Sequence, residues 1–304
     1  MSDTPSPASD RSHGLGLAGA IIAVSAWGLS GVIAKYIDMG GLAIAAYRFT
    51  VYGIVVGTLM HWRGVKVSRR MMRESLWGGV ALGLDTALFF SAVKLTAIAN
   101  ATLIGSLQPI VVATVAWRLF GETVPRRDMA LGLVAIAGAA AVVLGSPETS
   151  DASWQGDVLA VGALFAWSAY FVFSKRSQEV ITSTEYTVGA SIWTGLINLP
   201  LAVLFGQSLA WPSGRTWFWL LVLTFGAGVL GHSVMNWAIK QIPLWLGSTT
   251  TLLIPVVSTT AAWIFLDEPL APIQIVAMGV VLAALGIVVS GQSGIGNRPR
   301  PLRR

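Results

Sequence analysis

The sequence predicts an all-α membrane protein of ten transmembrane helices, arranged as two inverted five-helix repeats with both termini in the cytoplasm. Three observations carry this expectation: an apolar composition, ten apolar stretches of crossing length, and self-similarity between the two halves. Of 304 residues, 54% are hydrophobic and only 11% charged, at a mean hydropathy of +0.70. A water-soluble domain carries about a quarter charged residues, so soluble enzymes and nucleic-acid binders are set aside. Cysteine is absent, which removes disulfides, thiolate metal sites and cysteine nucleophiles.

In chain order, residues 1–14 (MSDTPSPASDRSHG) read as a disordered N-terminal tail and lack the apolar core of a signal peptide. Apolar stretches then fall at about 15–37, 42–62, 74–93, 97–120, 129–145, 156–174, 184–206, 216–239, 244–266 and 270–290. A crossing takes roughly 20 helical residues, so ten use about 200 and leave no room for a soluble domain of ordinary size. The organisation expected is a first repeat over 15–145, a linker over 146–155, a second repeat over 156–290 and a basic cytoplasmic tail over 291–304.

Assigning loops alternately to two faces puts sixteen Lys and Arg residues on the face of the N-terminus and three (Lys35, Lys94, Arg215) on the other, with Arg48 inside a span. The basic face is cytoplasmic. Ten of the thirteen tryptophans lie near span ends, where an indole suits the membrane interface, whereas Trp27, Trp167 and Trp193 do not.

Sliding the chain by 146 residues pairs Leu107 with Leu253, Pro109 with Pro255, Thr114 with Thr260, Trp117 with Trp263 and Glu122 with Glu268. A shift of 140 pairs Trp27 with Trp167 and Lys35 with Lys175. Five spans per copy is an odd number, so the second copy enters the membrane from the opposite side, an architecture suited to alternating access.

The segments AWGLSGVIAKY (26–36), AYRF (46–49), ANATLIGSLQPIVVATVAWRLFGETV (99–124) and LIPVVSTTAAWIFLDEPL (253–270) resemble the drug/metabolite transporter superfamily in its ten-helix EamA-type branch. Within that branch the chain is most similar to the YddG-type exporters of aromatic amino acids. The resemblance implies a bacterial inner-membrane exporter of aromatic and other neutral amino acids that acts as a monomer, without cofactor, metal or nucleic-acid partner.

Asp85 is the carboxylate placed deepest in a span, which marks it for function or for a structural ion pair with Arg48. His232, one position from the repeat counterpart of Asp85, suits either a proton-coupling switch or a neutral interhelical hydrogen bond. Trp27 and Trp167 interrupt seams of small residues and read as lining a cavity, with Tyr170 and Trp193 as further aromatic contacts. Pro109 and Pro255 free the carbonyls of Gly105 and Thr251 and supply kinks for gating, with Asn100 and Gln108 nearby as polar contacts.

Two other readings share these residues. A multidrug exporter would hold aromatic cations with Asp85 and the indoles. Gly28-Leu29-Ser30-Gly31 spells the motif of an intramembrane serine protease, with His232 as its base, but a short motif needs a structural context. No Gly-Lys dipeptide exists for a phosphate-binding loop, which excludes ATP-driven pumping by this chain alone.

Overall fold

A computed structural model describes residues 7–64, 66–95, 98–145 and 153–293. The described chain is helical throughout: α1 (Pro7–Lys35), α2 (Gly41–Trp62), α3 (Arg69–Leu95), α4 (Ile98–Gly105), α5 (Gln108–Phe120), α6 (Arg126–Leu144), α7 (Trp154–Ser177), α8 (Ser183–Leu204), α9 (Gly214–Leu223), a π segment (Thr224–Ser233), α10 (Val234–Gln241), α11 (Leu244–Thr250), α12 (Leu253–Leu266) and α13 (Pro272–Ser293). Nine helical stretches among the described residues are long and apolar enough to cross a membrane. The 27-residue α3 is not among them; it starts RRMMRE and carries Asp85 in its middle.

Of the expected N-terminal tail, residues 1–6 lie outside the described residues and residues 7–14 form the first turns of α1. Of the expected linker, residues 146–152 lie outside the described residues, as does the tail beyond 293.

Large apolar side chains cover much of the outer surface, and several polar ones lie within the apolar core. Ile54, Leu133, Phe218 and Val276 are exposed, whereas Gln108, Ser174, Asn198 and Asn236 are fully buried. That distribution satisfies polar groups internally where no water reaches them. Most close pairings join the first half to the second: α3 packs on α7 and α8, α2 on α8, α6 on α13, and α1 on α10, α12 and the π segment. Small residues permit these approaches. A methyl added at Gly79 would lie 2.3 Å from Trp193 Cβ, one at Gly28 2.7 Å from Val257 Cβ, and one at Gly138 2.8 Å from Val281 Cγ2.

Both prolines break their helices as the missing N–H dictates. The α4–α5 break falls at Ser106–Leu107 and the α11–α12 break at Thr251–Leu252, each just before a proline. Beyond the breaks the two segments end alike. Gly121 (φ 65°) and Asp267 (φ 54°) are left-handed C-caps whose N–H groups bond to the carbonyls of Ala116 and Ala262. All four residues keep the 146-residue offset, and Asp267 adopts a conformation usually left to glycine.

Candidate functional site

α1, α2, α7 and the π segment bring one aromatic and polar cluster together. Trp27 makes an edge contact with Trp167 at 6.2 Å between ring centroids and lies 6.2 Å from Phe171 and 5.2 Å from His232. The π segment sets the place of Trp27. Its indole N–H donates to the Ala227 carbonyl at 3.2 Å. A methyl at Gly231 would stand 2.3 Å from the indole nitrogen, so this approach requires glycine there. π segments are rare and concentrate at functional sites.

His232 is buried between two partners, with Nε2 3.3 Å from an Arg48 amino nitrogen and Nδ1 3.4 Å from the Tyr170 hydroxyl. Arginine has only donors, so Nε2 accepts and the proton of a neutral ring sits on Nδ1, donating to Tyr170. The Tyr170 hydroxyl in turn donates to Asn236 Oδ1 at 3.2 Å. Asn236 also accepts from Ser174 at 2.8 Å and donates to Thr187 at 2.9 Å. Beside this chain, Tyr52 meets Ser233 at 2.5 Å, and Arg48 lies 5.0 Å from the Phe49 ring centroid.

Of the two readings of Asp85, the ion pair with Arg48 is not formed among the described residues. Arg48 turns instead to His232, across the contact of α2 with the π segment. Asp85 sits on the face of α3 presented to α7. Ser177 bonds to the Glu74 carbonyl at one end of this antiparallel contact, and Leu88 meets Gly162 further along. That register places Asp85 level with Phe165 and Ala166, the residues just before Trp167.

Trp193 is not part of the cluster. Its indole N–H donates to the Met72 carbonyl at 2.9 Å, and its Cβ fills the space left by Gly79, so it fastens α8 to the start of α3. Gln108 is fully buried at the α4–α5 break and accepts from Thr251 at 3.1 Å, bringing the two proline breaks into contact. Pro109 and Pro255 therefore belong to one junction. The Asn100 side chain lies outside the described residues. Ser30 donates to the Trp27 carbonyl at 2.5 Å, and His232 has the partners given above, so no serine–histidine dyad exists between them. Sequence reasoning missed Phe171, Tyr52, Ser233 and Asn236; the signal for Asn236 is its place one turn after His232 on the same face.

Two Lys–Glu pairs flank the cluster. Lys35, ending α1, meets Glu268 beyond α12 at 2.6 Å. Lys175, near the end of α7, meets Glu122 beyond α5 at 3.6 Å. Each joins a lysine of one half to a glutamate of the other.

Apolar helices around a buried aromatic and charged cluster, with broken helices beside it, define a multi-pass membrane transporter. The sequence profile of the EamA-like transporter family matches residues 14–144 and 154–291, and the chain belongs to that family. It is 25% identical over 288 residues to a probable amino-acid metabolite efflux pump of Salmonella typhimurium, covering 90% of this chain and 94% of the relative. It is 25% identical to the threonine/homoserine exporter RhtA of Escherichia coli, over 81% of this chain and 85% of the relative. Identity reaches 30% with the aromatic amino acid exporter YddG of Ancylobacter novellus, over 64% of this chain and 68% of the relative. A crystal structure at 22% identity superimposes with a TM-score of 0.77, covering 94% of this chain and 99% of that one, which supports the fold.

Proposed function

We propose that this protein is a secondary transporter of the bacterial inner membrane that exports aromatic and other neutral amino acids by alternating access. Ten crossings, with α3 as the third, form two inverted five-helix repeats, and both termini lie in the cytoplasm. The protein works as a monomer. Substrate occupies the cluster around Trp27, Trp167 and Tyr170, where Arg48, Asp85 and His232 engage its polar groups.

One observation carries alternating access: the lysine–glutamate pairs across the halves recur at repeat-equivalent positions, Lys35–Glu268 and Lys175–Glu122. Under the charge-based topology the first lies on the outer face and the second on the inner. A pair of equivalent closures at opposite faces suits a site opened to one side at a time. The adjoining proline breaks supply the bends.

The amino-acid assignment is tested in proteoliposomes with a panel of labelled substrates, with and without a pH gradient. Movement of neutral amino acids down their gradient is expected. Transport of lipophilic cations without amino acids overturns the assignment in favour of multidrug export.

A further inference from the structure

Arg48 and Asp85 are each left without an opposite charge among the described residues. An ionised group within a bilayer is expensive and is normally paired. Arg48 has a cation's usual demand but a neutral histidine for a partner, and its buried Nε has no hydrogen-bond partner. Among the described residues no hydrogen bond reaches the Asp85 carboxylate. Both groups are half-buried, and so are Trp27 and Trp167.

Their placement gives this incompleteness a meaning. Arg48 stands beside His232, His232 beside Trp27, and Trp27 beside Trp167. Asp85 is level with Phe165 and Ala166 along the α3–α7 contact, next to Trp167 in the chain. The cation therefore meets the indole pair through His232 and the carboxylate stands beside the turn of α7 that leads into Trp167, and the two form no ion pair among the described residues. The chain from His232 through Tyr170 to Asn236 fixes the guanidinium from behind, so it is set in place before any ligand arrives.

We infer that Arg48 and Asp85 are the two poles of a zwitterion receptor, Arg48 taking the α-carboxylate of the substrate and Asp85 its ammonium, with the substrate side chain against Trp27 and Trp167. This rests on the amino-acid reading above and deepens it. A guanidinium presents a planar fork of donors that matches a carboxylate, and a carboxylate accepts from each ammonium hydrogen. The receptor selects for the free α-amino acid and against any analogue that keeps one charge. An amine leaves Arg48 unmatched; a carboxylic acid leaves Asp85 unmatched. A buried charge left without its partner is what makes such discrimination strong.

The test is competition against labelled phenylalanine uptake into proteoliposomes. Phenylalanine methyl ester, N-acetylphenylalanine, phenethylamine and 3-phenylpropionate serve as competitors, so the first arm needs no variant. Each analogue is expected to compete about ten- to a hundredfold more weakly than phenylalanine itself. In Arg48→Gln the disadvantage of the ester and the amine disappears while that of the acyl derivative and the acid remains; Asp85→Asn gives the converse. Arg48→Lys and Asp85→Glu keep the charge and the wild-type order. Competition by all four analogues as strong as by phenylalanine overturns the receptor while leaving amino-acid export standing, as does an equal loss for every analogue in both neutralised variants. Failure of the wild-type protein to move phenylalanine or any other amino acid overturns the export reading itself.

Discussion

Lys175 Nζ stands 3.6 Å from Glu122 Oε1, and the same glutamate caps the start of α11 through the N–H groups of Leu244 and Trp245 at 2.9 and 3.2 Å. Lys175 also donates to the carbonyls of Ile239 and Ile242 at 2.7 Å each. One pair thus ties α5, α7 and the junction of α10 with α11. With side chains only 21% and 13% exposed, removing one partner strands the other in a poorly solvated place. Glu122→Gln is expected to destabilise the detergent-solubilised protein by about 1–3 kcal/mol. Lys175→Met combined with it is expected to cost less than the two single changes summed, measured by thermal unfolding as a double-mutant cycle.

Lys35–Glu268 is the repeat counterpart but is 52% and 43% exposed. An exposed pair contributes about 0–1 kcal/mol, so Glu268→Gln leaves the unfolding midpoint nearly unchanged. Its expected effect is on transport. The chain has no cysteine, so Lys35→Cys with Glu268→Cys places a single pair of thiols across the halves. Cross-linking them is expected to arrest export, with recovery on reduction. Unimpaired export by the cross-linked protein would contradict opening on this face.

The placement of Trp27 depends on Gly231, where a methyl would fall 2.3 Å from the indole nitrogen. Gly231→Ala is expected to displace the indole from the Ala227 carbonyl and lower export at least about tenfold, as a misplaced binding group does. Trp27→Phe in the same protein removes the clash and restores part of the activity if the steric account holds. Proteoliposome uptake, checked against intrinsic tryptophan fluorescence, separates displacement from unfolding.

How far the sequence discloses this arrangement depends on whether a residue's partner is local. The breaks at Pro109 and Pro255 are legible because a proline acts on its own helix. The lysines and glutamates are legible as repeat equivalents, but their pairing is not, since it joins residues 233 and 53 positions apart. Trp193 looks like a site residue because an indole far from a span end is unusual; in the fold its N–H finds the Met72 carbonyl across α3. The π segment leaves no reading in TFGAGVLGHS beyond an apolar, glycine-rich run, since the indole that fits against it comes from α1.

Asn236 is fully buried and bonds to Tyr170, Ser174 and Thr187. Asn236→Leu leaves all three without it. At roughly 0.6 kcal/mol for an average bond of this kind in a membrane protein, the expected loss is about 2 kcal/mol of stability. A larger effect on substrate affinity than on unfolding is also expected, because Asn236 holds Tyr170, Tyr170 holds His232, and His232 holds Arg48.

His232→Gln distinguishes positioning from proton coupling. Nε2 already accepts from Arg48, so protonating the ring sets two cations against each other and expels the guanidinium from its rest position. Proton uptake at His232 would therefore release Arg48, the event that coupling of export to a pH gradient through this residue requires. Glutamine keeps an acceptor for Arg48 and cannot take the proton. The variant is expected to retain export down a substrate gradient within about threefold, since the amide still supplies the hydrogen bond. If His232 is the coupling group, the wild-type protein is stimulated by an imposed pH gradient and the variant is not. If stimulation persists unchanged, His232 only positions Arg48; if export is lost even down a gradient, the imidazole has a further contact with the substrate that its hydrogen bonds do not explain.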